Sequence, residues 1–214
     1  GANAAGRDDK DVVNLGEALA RSGFVVMFHW SPTMALQHNI DPAEIDKLVR
    51  AFQFLERQEW VDPERVGIGG FCVGASFSLV AAADPRIRDR VRFVNAFGPY
   101  FDAGDLLLQV VTRSRIDQGV RTPWQPDRLT LKVFANELIE TLDDPVDIEL
   151  LSEKYLNGES TDGQPMTSAG QTIARLLEGV SPEEAAGLYL TLPEEFREAM
   201  DQISPSRYLD DIKA

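Results

Sequence analysis

The sequence predicts an α/β protein in which a parallel sheet forms the core and a mostly helical segment follows. Three short apolar runs, residues 24–28, 66–71 and 91–97, are typical of buried strands. Stretches with apolar residues every three or four positions lie between these runs and are typical of amphipathic helices. Because strands that alternate with helices across short links pair in parallel, we expect a parallel core over residues 1–102. Helical patterns dominate residues 103–204.

The first helix and the first strand are predicted within the first 28 residues. Val12, Leu15 and Leu19 form an apolar stripe at helical spacing, and acidic residues precede it. Gly23 follows the stripe, as is typical after the end of a helix. The run Phe24–Phe28 is apolar without interruption, so we expect a strand that is buried on both faces.

A second helix and a strand–helix pair follow. Asp41-Pro42 is typical of a helix start, with an aspartate cap and proline at the first helical position. The apolar face of this helix recurs at a period of 3.6 residues and comprises Ile45, Leu48, Val49, Phe52 and Leu55. The glycine-rich strand at residues 66–71 then leads into a helix of small residues over 72–83.

The second half of the chain shows helical patterns and no strong strand signal. Residues 129–134 are ambiguous between strand and helix. The predicted helices span residues 134–142, 147–156, 169–177, 182–190 and 194–203. A polar, glycine-containing stretch over residues 157–165 predicts a flexible loop.

Composition and charge exclude several classes of function. The 214 residues are 43% hydrophobic and 26% charged, which is typical of a globular protein. The net charge is −14, and almost all of the excess lies in residues 137–214, so we expect no nucleic-acid or membrane partner. A single cysteine and two histidines speak against a metal site, and no motif calls for an organic cofactor. The absence of a targeting segment predicts a cytoplasmic protein.

The most informative motif is Gly70-Phe71-Cys72-Val73-Gly74, which has the form G-x-C-x-G between a strand and a helix. A nucleophile at such a turn projects above the sheet, and glycines on either side let strand and helix approach closely. The helix N-terminus favours negative charge on the sulfur, and the Val73 N–H can point at a developing oxyanion. The alternative is a purely structural role, in which the cysteine is buried and packs between the glycines.

Residues 61–74 resemble the nucleophile-elbow region of α/β-hydrolases, and cysteine in place of serine most resembles the dienelactone hydrolase branch. The resemblance covers residues 1–102 and implies a partial α/β-hydrolase core. Residues 103–204 would then be a helical lid inserted into that core. Residues 205–214 would lead into a further core strand, so the chain resembles the middle of a hydrolase cut at both ends. The missing first strand would lie between those at residues 24–28 and 66–71.

The resemblance implies an acyl-enzyme mechanism in which Cys72 attacks an ester, lactone or thioester carbonyl. A histidine would relay protons and an acid would orient that histidine. Val73 would supply one oxyanion-hole N–H group, and Ala2 or Asn3 the second. Family members carry the acid and the histidine in later strands, so we expect both to lie outside this chain.

Three residues within the chain could substitute for the missing base and acid. His29 follows the first predicted strand, although a histidine hydrogen-bonded for structural reasons is the usual occupant of such a position. Asp102 follows the third strand, where some α/β-hydrolases place their acid, although capping a helix is the more usual role. His38 lies in a polar loop and is expected at the surface.

The sequence therefore predicts a cysteine-dependent hydrolase of small esters, lactones or thioesters in the intact protein. We expect the 214 residues alone to be nearly inactive, because they hold no well-placed general base. One alternative is a non-catalytic relative that binds a small ligand or a partner. A second is an acyltransferase, which shares the acyl-enzyme. The sequence specifies neither the substrate nor whether the chain forms a homo-oligomer.

Overall fold

The computed structural model describes residues 8–161 and 163–214, which form a mixed α/β structure. Its helices are α1 (Lys10–Arg21), α2 (Ala43–Glu56), α3 (Val73–Ala83), α4 (Ala103–Val111), α5 (Arg128–Ile139), α6 (Pro145–Ser152), α7 (Ser168–Glu178), α8 (Pro182–Thr191) and α9 (Glu194–Gln202). Its strands are β1 (Ile68–Phe71), β2 (Val94–Phe97), β3 (Ser114–Asp117) and β4 (Val120–Pro123). Short helical turns cover Thr33–Gln37, Pro63–Arg65, Glu153–Asn157, Pro205–Arg207 and Leu209–Asp211.

The chain divides into two compact units. The first unit takes in the described residues up to Gln37 together with Asp41–Phe101 and Gln202–Ala214. The second unit comprises His38–Ile40 and Asp102–Asp201. None of the described helices is long and apolar enough to cross a lipid bilayer.

A two-stranded parallel sheet lies in the first unit. β1 pairs with β2 in the register Ile68 to Val94 through Phe71 to Phe97. This pairing confirms the parallel order that the sequence predicts for these two strands. Along both strands, half-buried residues alternate with exposed ones, so one face of the sheet is covered and the other is open. Helix α3 lies between the two strands in the chain, so β1, α3 and β2 form a strand–helix–strand unit with parallel strands.

The core of the first unit joins α2 and α3 to the residues that flank the sheet. Its buried members are Val49, Phe52, Val66, Ala81, Ala82, Ile87 and Val91. Ile45, Leu48 and Leu55 pack against this cluster and are partly buried. The apolar face that the sequence predicts for α2 is therefore confirmed.

The prediction of a strand at Phe24–Phe28 is wrong. These residues have no strand conformation, and the side chains of Phe24 and Phe28 are 53% and 50% exposed. A strand is stable only when a neighbour pairs with its backbone, and no described segment lies in a ladder with residues 24–28. Helix α1 forms as predicted, but none of its residues is buried. Within the described residues, the parallel sheet thus has two strands rather than the expected three.

The second unit is built mainly from helices. α7, α8 and α9 begin and end within one residue of the predicted bounds. The ambiguous residues 129–134 belong to α5, which begins at Arg128 and not at residue 134. α6 starts two residues earlier than expected, and a π-helical turn at Glu153–Asn157 continues it.

An antiparallel hairpin in the second unit was not expected from the sequence. β3 and β4 pair from Ser114 opposite Pro123 to Asp117 opposite Val120. Gln118 and Gly119 connect the strands, with φ values of 49° and 80°, and positive φ at both positions is typical of a type I′ turn. The strands carry mostly exposed polar residues, so they lack the apolar alternation by which strands are usually detected.

Candidate active site

Cys72 occupies the turn between β1 and α3. β1 ends at Phe71 and α3 begins at Val73, so a single residue connects them. The backbone of Cys72 has φ 54° and ψ −129°. Residues with a Cβ atom avoid this region because the side chain crowds the neighbouring backbone. The cysteine is therefore held at a sharp, strained corner at the end of the sheet.

Hydrogen bonds on both sides of Cys72 hold this corner in place. Its N–H donates to the Phe97 carbonyl oxygen at 2.9 Å, which continues the pairing of β1 with β2. Its carbonyl oxygen accepts from the Ala75 N–H at 2.9 Å and so opens α3. The Ser76 hydroxyl donates to the Tyr100 carbonyl oxygen at 2.9 Å and ties α3 to the segment after β2.

The two glycines of the motif have different surroundings. A Cβ atom at Gly70 would clash with the Gly74 carbonyl oxygen and would lie 2.5 Å from its carbon and 2.8 Å from the Ala75 nitrogen. A Cβ atom at Gly74 would meet nothing within 4 Å. Close approach of strand and helix therefore requires glycine at position 70. At Gly74 the structure shows no such crowding by a neighbour.

The thiol of Cys72 is exposed, and it is the only thiol of the chain. In the part of the chain that the structure describes, its sulfur has no hydrogen-bond partner, and neither has the N–H group of Val73. A free N–H at the first position of a helix can donate to an oxyanion next to the sulfur. Ala2 and Asn3, the expected second donors, lie outside the described residues.

His29 is bound by a buried carboxylate. Its Nε2 lies 2.7 Å from Glu44 Oε2, and Glu44 is only 1% exposed. Burial on its own raises the pKa of Glu44, but hydrogen bonds from Lys47, His29 and Ser31 outweigh burial and hold it below its ordinary value. A stable carboxylate therefore fixes the imidazole of His29.

The other two candidates lie in the second unit. Asp102 caps α4, because its side chain accepts from the Asp105 N–H at 3.0 Å. This bond is the capping role that the sequence suggested as the alternative to catalysis. His38 has a positive φ of 60°. Burial, with a smaller contribution from the positive charge of Lys132, holds the pKa of His38 below its ordinary value.

An aromatic pair that includes the residue before Cys72 was not predicted from the sequence. The rings of Phe71 and Phe97 stack with centroids 5.0 Å apart and planes inclined by 17°. These side chains are 56% and 57% exposed and lie on the open face of the parallel sheet. The sequence does carry a signal for this pair, because phenylalanine is the last residue of both strands and the strands pair in register. This stack is an exposed apolar surface, and one of its two rings belongs to the residue that precedes Cys72 in the chain.

Cys72 lines neither of two cavities that lie among the described residues. A cavity of about 460 Å³ in the first unit lies between α2, α3 and the chain end, and Asp46, Arg86 and Asp211 line it. A second cavity, of about 290 Å³, lies in the second unit. Residues 8–161 and 163–214 bring no three His, Cys, Asp or Glu side chains together in an arrangement that could hold a metal ion.

No protein-family model, curated protein or solved structure matches this chain.

Proposed function

We propose that this chain carries the nucleophile of a cysteine-dependent hydrolase that acts on small esters, lactones or thioesters. The observation that supports the proposal most is the backbone of Cys72, with φ 54° and ψ −129°, at a one-residue turn from strand to helix. A strained conformation persists only where surrounding contacts enforce it, and such residues cluster at active sites. The exposed thiol at this corner is the natural candidate for the attacking group.

In the proposed reaction, the Cys72 thiolate attacks the carbonyl carbon and forms a carbon–sulfur bond. The carbonyl electron pair moves to oxygen, and the Val73 N–H donates to the resulting oxyanion. Collapse of this intermediate breaks the bond to the leaving oxygen of an ester or lactone, or to the leaving sulfur of a thioester, and the alcohol or thiol formed takes a proton from water. Water then attacks the acyl-enzyme thioester, which releases the carboxylic acid and regenerates the Cys72 thiol. Phe71 and Phe97 provide the surface on which an apolar part of the substrate rests.

The fold proposed with this function is an α/β-hydrolase-like core. Its supporting observation is the β1–turn–α3–β2 order with parallel pairing. The second unit follows β2 directly in sequence, from residue 102 to residue 201, which is where a lid insertion would stand in such a chain. A complete sheet of this kind would need more strands than the parallel pair among the described residues.

Acylation of Cys72 by 4-nitrophenyl acetate tests the proposal. We expect a stoichiometric burst of 4-nitrophenolate and one acetyl group on Cys72 by mass spectrometry, with neither in Cys72→Ala. We expect no sustained turnover from the 214 residues, because Cys72 has no general base hydrogen-bonded to it in the described part of the chain. Cys72-dependent steady-state hydrolysis by this chain would show that expectation to be wrong.

A matched control separates the elbow from ordinary thiol reactivity. Ser181→Cys in a Cys72→Ala background places a thiol at the N-cap of α8, where the backbone has the common values φ −66° and ψ 156°. We expect Cys72 to acylate at least about tenfold faster than this cysteine, since only Cys72 is presented by a strained corner with a free N–H beside it. Equal rates would contradict the proposal and favour a binding role without catalysis.

A further inference from the structure

The cavity of the second unit has a basic lining. It measures about 290 Å³, and its walls include Arg113, Arg128, Lys132 and Lys154. No acidic residue is among the residues that line it. Such a cavity concentrates positive potential, because its low-dielectric walls focus the field of the cations.

This basic cavity contrasts with the unit that contains it. Residues 102–201 hold 20 Asp and Glu but only eight Lys and Arg. Half of those eight cations line this one cavity. The local charge is therefore opposite in sign to that of the surrounding unit, and an anion would be drawn to this place rather than to the rest of the surface.

The four cations do not all have the same role. Arg113 donates to the carbonyl oxygens of Val110 and Leu177, the latter at 2.7 Å, so it binds the ends of two helices. Lys154 is paired with Glu178 at 3.0 Å.

Arg128 and Lys132 make no ion pair or side-chain hydrogen bond with any residue that the structure describes. They stand one turn apart on α5, so their side chains lie on the same face of the helix. Two positive charges are thus available to a ligand.

Tyr155 contributes to the wall of the cavity. Its Oη is inaccessible to solvent, so it is not available to a ligand in the cavity. The ring of Tyr155 lies 5.1 Å from Lys154 Nζ, which helps to fix the position of that ammonium group.

We propose that this cavity binds the phosphate group of a small phosphate monoester through Arg128 and Lys132. A phosphate monoester carries up to two negative charges at neutral pH, which matches the two unpaired cations. The planar guanidinium of Arg128 can bind two phosphate oxygens at once. Leu131 and Leu156 line the same cavity and can contact the organic part of the ester. The volume restricts the ligand to a small molecule.

Titration calorimetry with phenyl phosphate tests this site on the 214-residue chain. We expect saturable binding of one molecule per chain, weakened at least about tenfold by Arg128→Gln or Lys132→Gln. Arg115→Gln removes the same charge from β3, outside the cavity, and should change the affinity by less than about twofold. Tyr155→Phe should leave the affinity unchanged, because the hydroxyl it removes is inaccessible to solvent.

Further ligands and variants identify what the site recognises. Benzoate, a monoanion, should bind more weakly than phenyl phosphate; equal affinity would overturn the assignment to phosphate. If inorganic phosphate bound as tightly as the ester, the organic part would not be recognised, and the proposal would be contradicted. Equal affinities of Arg128→Gln and Arg115→Gln for phenyl phosphate would contradict it as well. Cys72→Ala should bind phenyl phosphate with the affinity of the unaltered chain. The phosphate site and the proposed hydrolase activity are therefore tested independently.

Discussion

At the scale of single residues, Gly70 and Gly74 have different physical roles although the motif spaces them symmetrically. Both stand two positions from Cys72. The Cα of Gly70 faces the backbone of α3 so closely that a methyl group has no room, whereas Gly74 faces open space. Glycine at position 70 is thus required by packing, while position 74 would accept a side chain without steric conflict.

This difference predicts opposite effects for two identical substitutions. Gly70→Ala should destabilise the fold by roughly 1–3 kcal/mol, because β1 and α3 must separate to admit the Cβ atom. Gly74→Ala should be neutral or stabilise by up to about 1 kcal/mol, since alanine favours the helix that contains it. Urea denaturation followed by circular dichroism measures both. Similar losses for the two variants would refute the argument.

The sequence located Cys72 correctly between strand and helix because the motif is local: strand, glycine, cysteine and helix follow one another within a few residues. The environment of His29 could not be predicted in the same way. Its partner Glu44 lies 15 residues away, and its burial depends on how the segment around His29 folds against α2. Phe71 and Phe97 were likewise visible as aromatic residues, but their stacking depends on strand register.

At the scale of elements, α7, α8 and α9 were predicted most closely. The Ser181 side chain accepts from the Glu184 N–H at 3.2 Å and so caps the start of α8 at Pro182, a role that serine followed by proline and glutamate favours. The hairpin of β3 and β4 escaped prediction because its strands are mostly exposed and polar. Its turn, Gln118-Gly119, also lacks the Asn-Gly or Asp-Gly pair that marks most type I′ turns.

Asp147 in α6 organises the start of α7. The side chain is fully buried and accepts hydrogen bonds from the Met166 N–H at 2.7 Å, the Thr167 N–H at 3.0 Å and the Thr167 hydroxyl at 2.5 Å. Burial on its own raises the pKa of Asp147, but these hydrogen bonds outweigh burial and hold the pKa below its ordinary value. The ionised carboxylate therefore stabilises the folded state.

Asp147→Asn should lower the free energy of unfolding at pH 7 by roughly 2–3 kcal/mol, because asparagine keeps only one acceptor oxygen and its amide nitrogen cannot accept the remaining hydrogen bonds. Asp143→Asn, at an exposed position four residues earlier, should have little effect. Since the folded-state pKa of Asp147 is lowered, its contribution is full above the pKa of the unfolded chain and is lost as the pH falls through the folded-state value. The gap between wild type and Asp147→Asn should therefore close in acid, as denaturant titrations from pH 7 to pH 3 would reveal.

At the scale of the whole molecule, the sequence predicted a mixed α/β chain with a parallel pair, and the structure confirms that much. It did not predict how many strands would pair. Local hydrophobicity marks Phe24–Phe28 as strand-like, but strand formation depends on a partner elsewhere in the chain. No local pattern reports whether that partner exists, so the error over these residues has a physical cause.

The second unit has a core of its own. Leu107, Leu138, Leu151, Ile173 and Leu176 are almost completely buried within it. Apart from His38–Ile40, it is one continuous stretch of chain, Asp102–Asp201. Those three residues contribute few polar contacts, among them the Ile40 N–H to Glu137 at 2.5 Å and the Asn39 amide to Glu140 at 2.6 Å.

We therefore expect residues 102–201 to fold when produced alone. Thermal melting followed by circular dichroism should show a helical spectrum and one cooperative transition. Leu138→Ala in the same fragment should lower the stability by roughly 2–5 kcal/mol, because Leu138 is completely buried. A broad, non-cooperative melt of the unaltered fragment would show that the second unit depends on the rest of the chain.

The backbone at position 72 also bears on how such a chain evolves. A side chain at φ 54° destabilises the native state, by an amount on the order of 1–3 kcal/mol, and glycine would relieve that strain. Selection for thermal endurance alone would thus favour losing the sulfur, whereas selection for reactivity would retain it. Selection for stability and selection for reactivity therefore favour different residues at position 72.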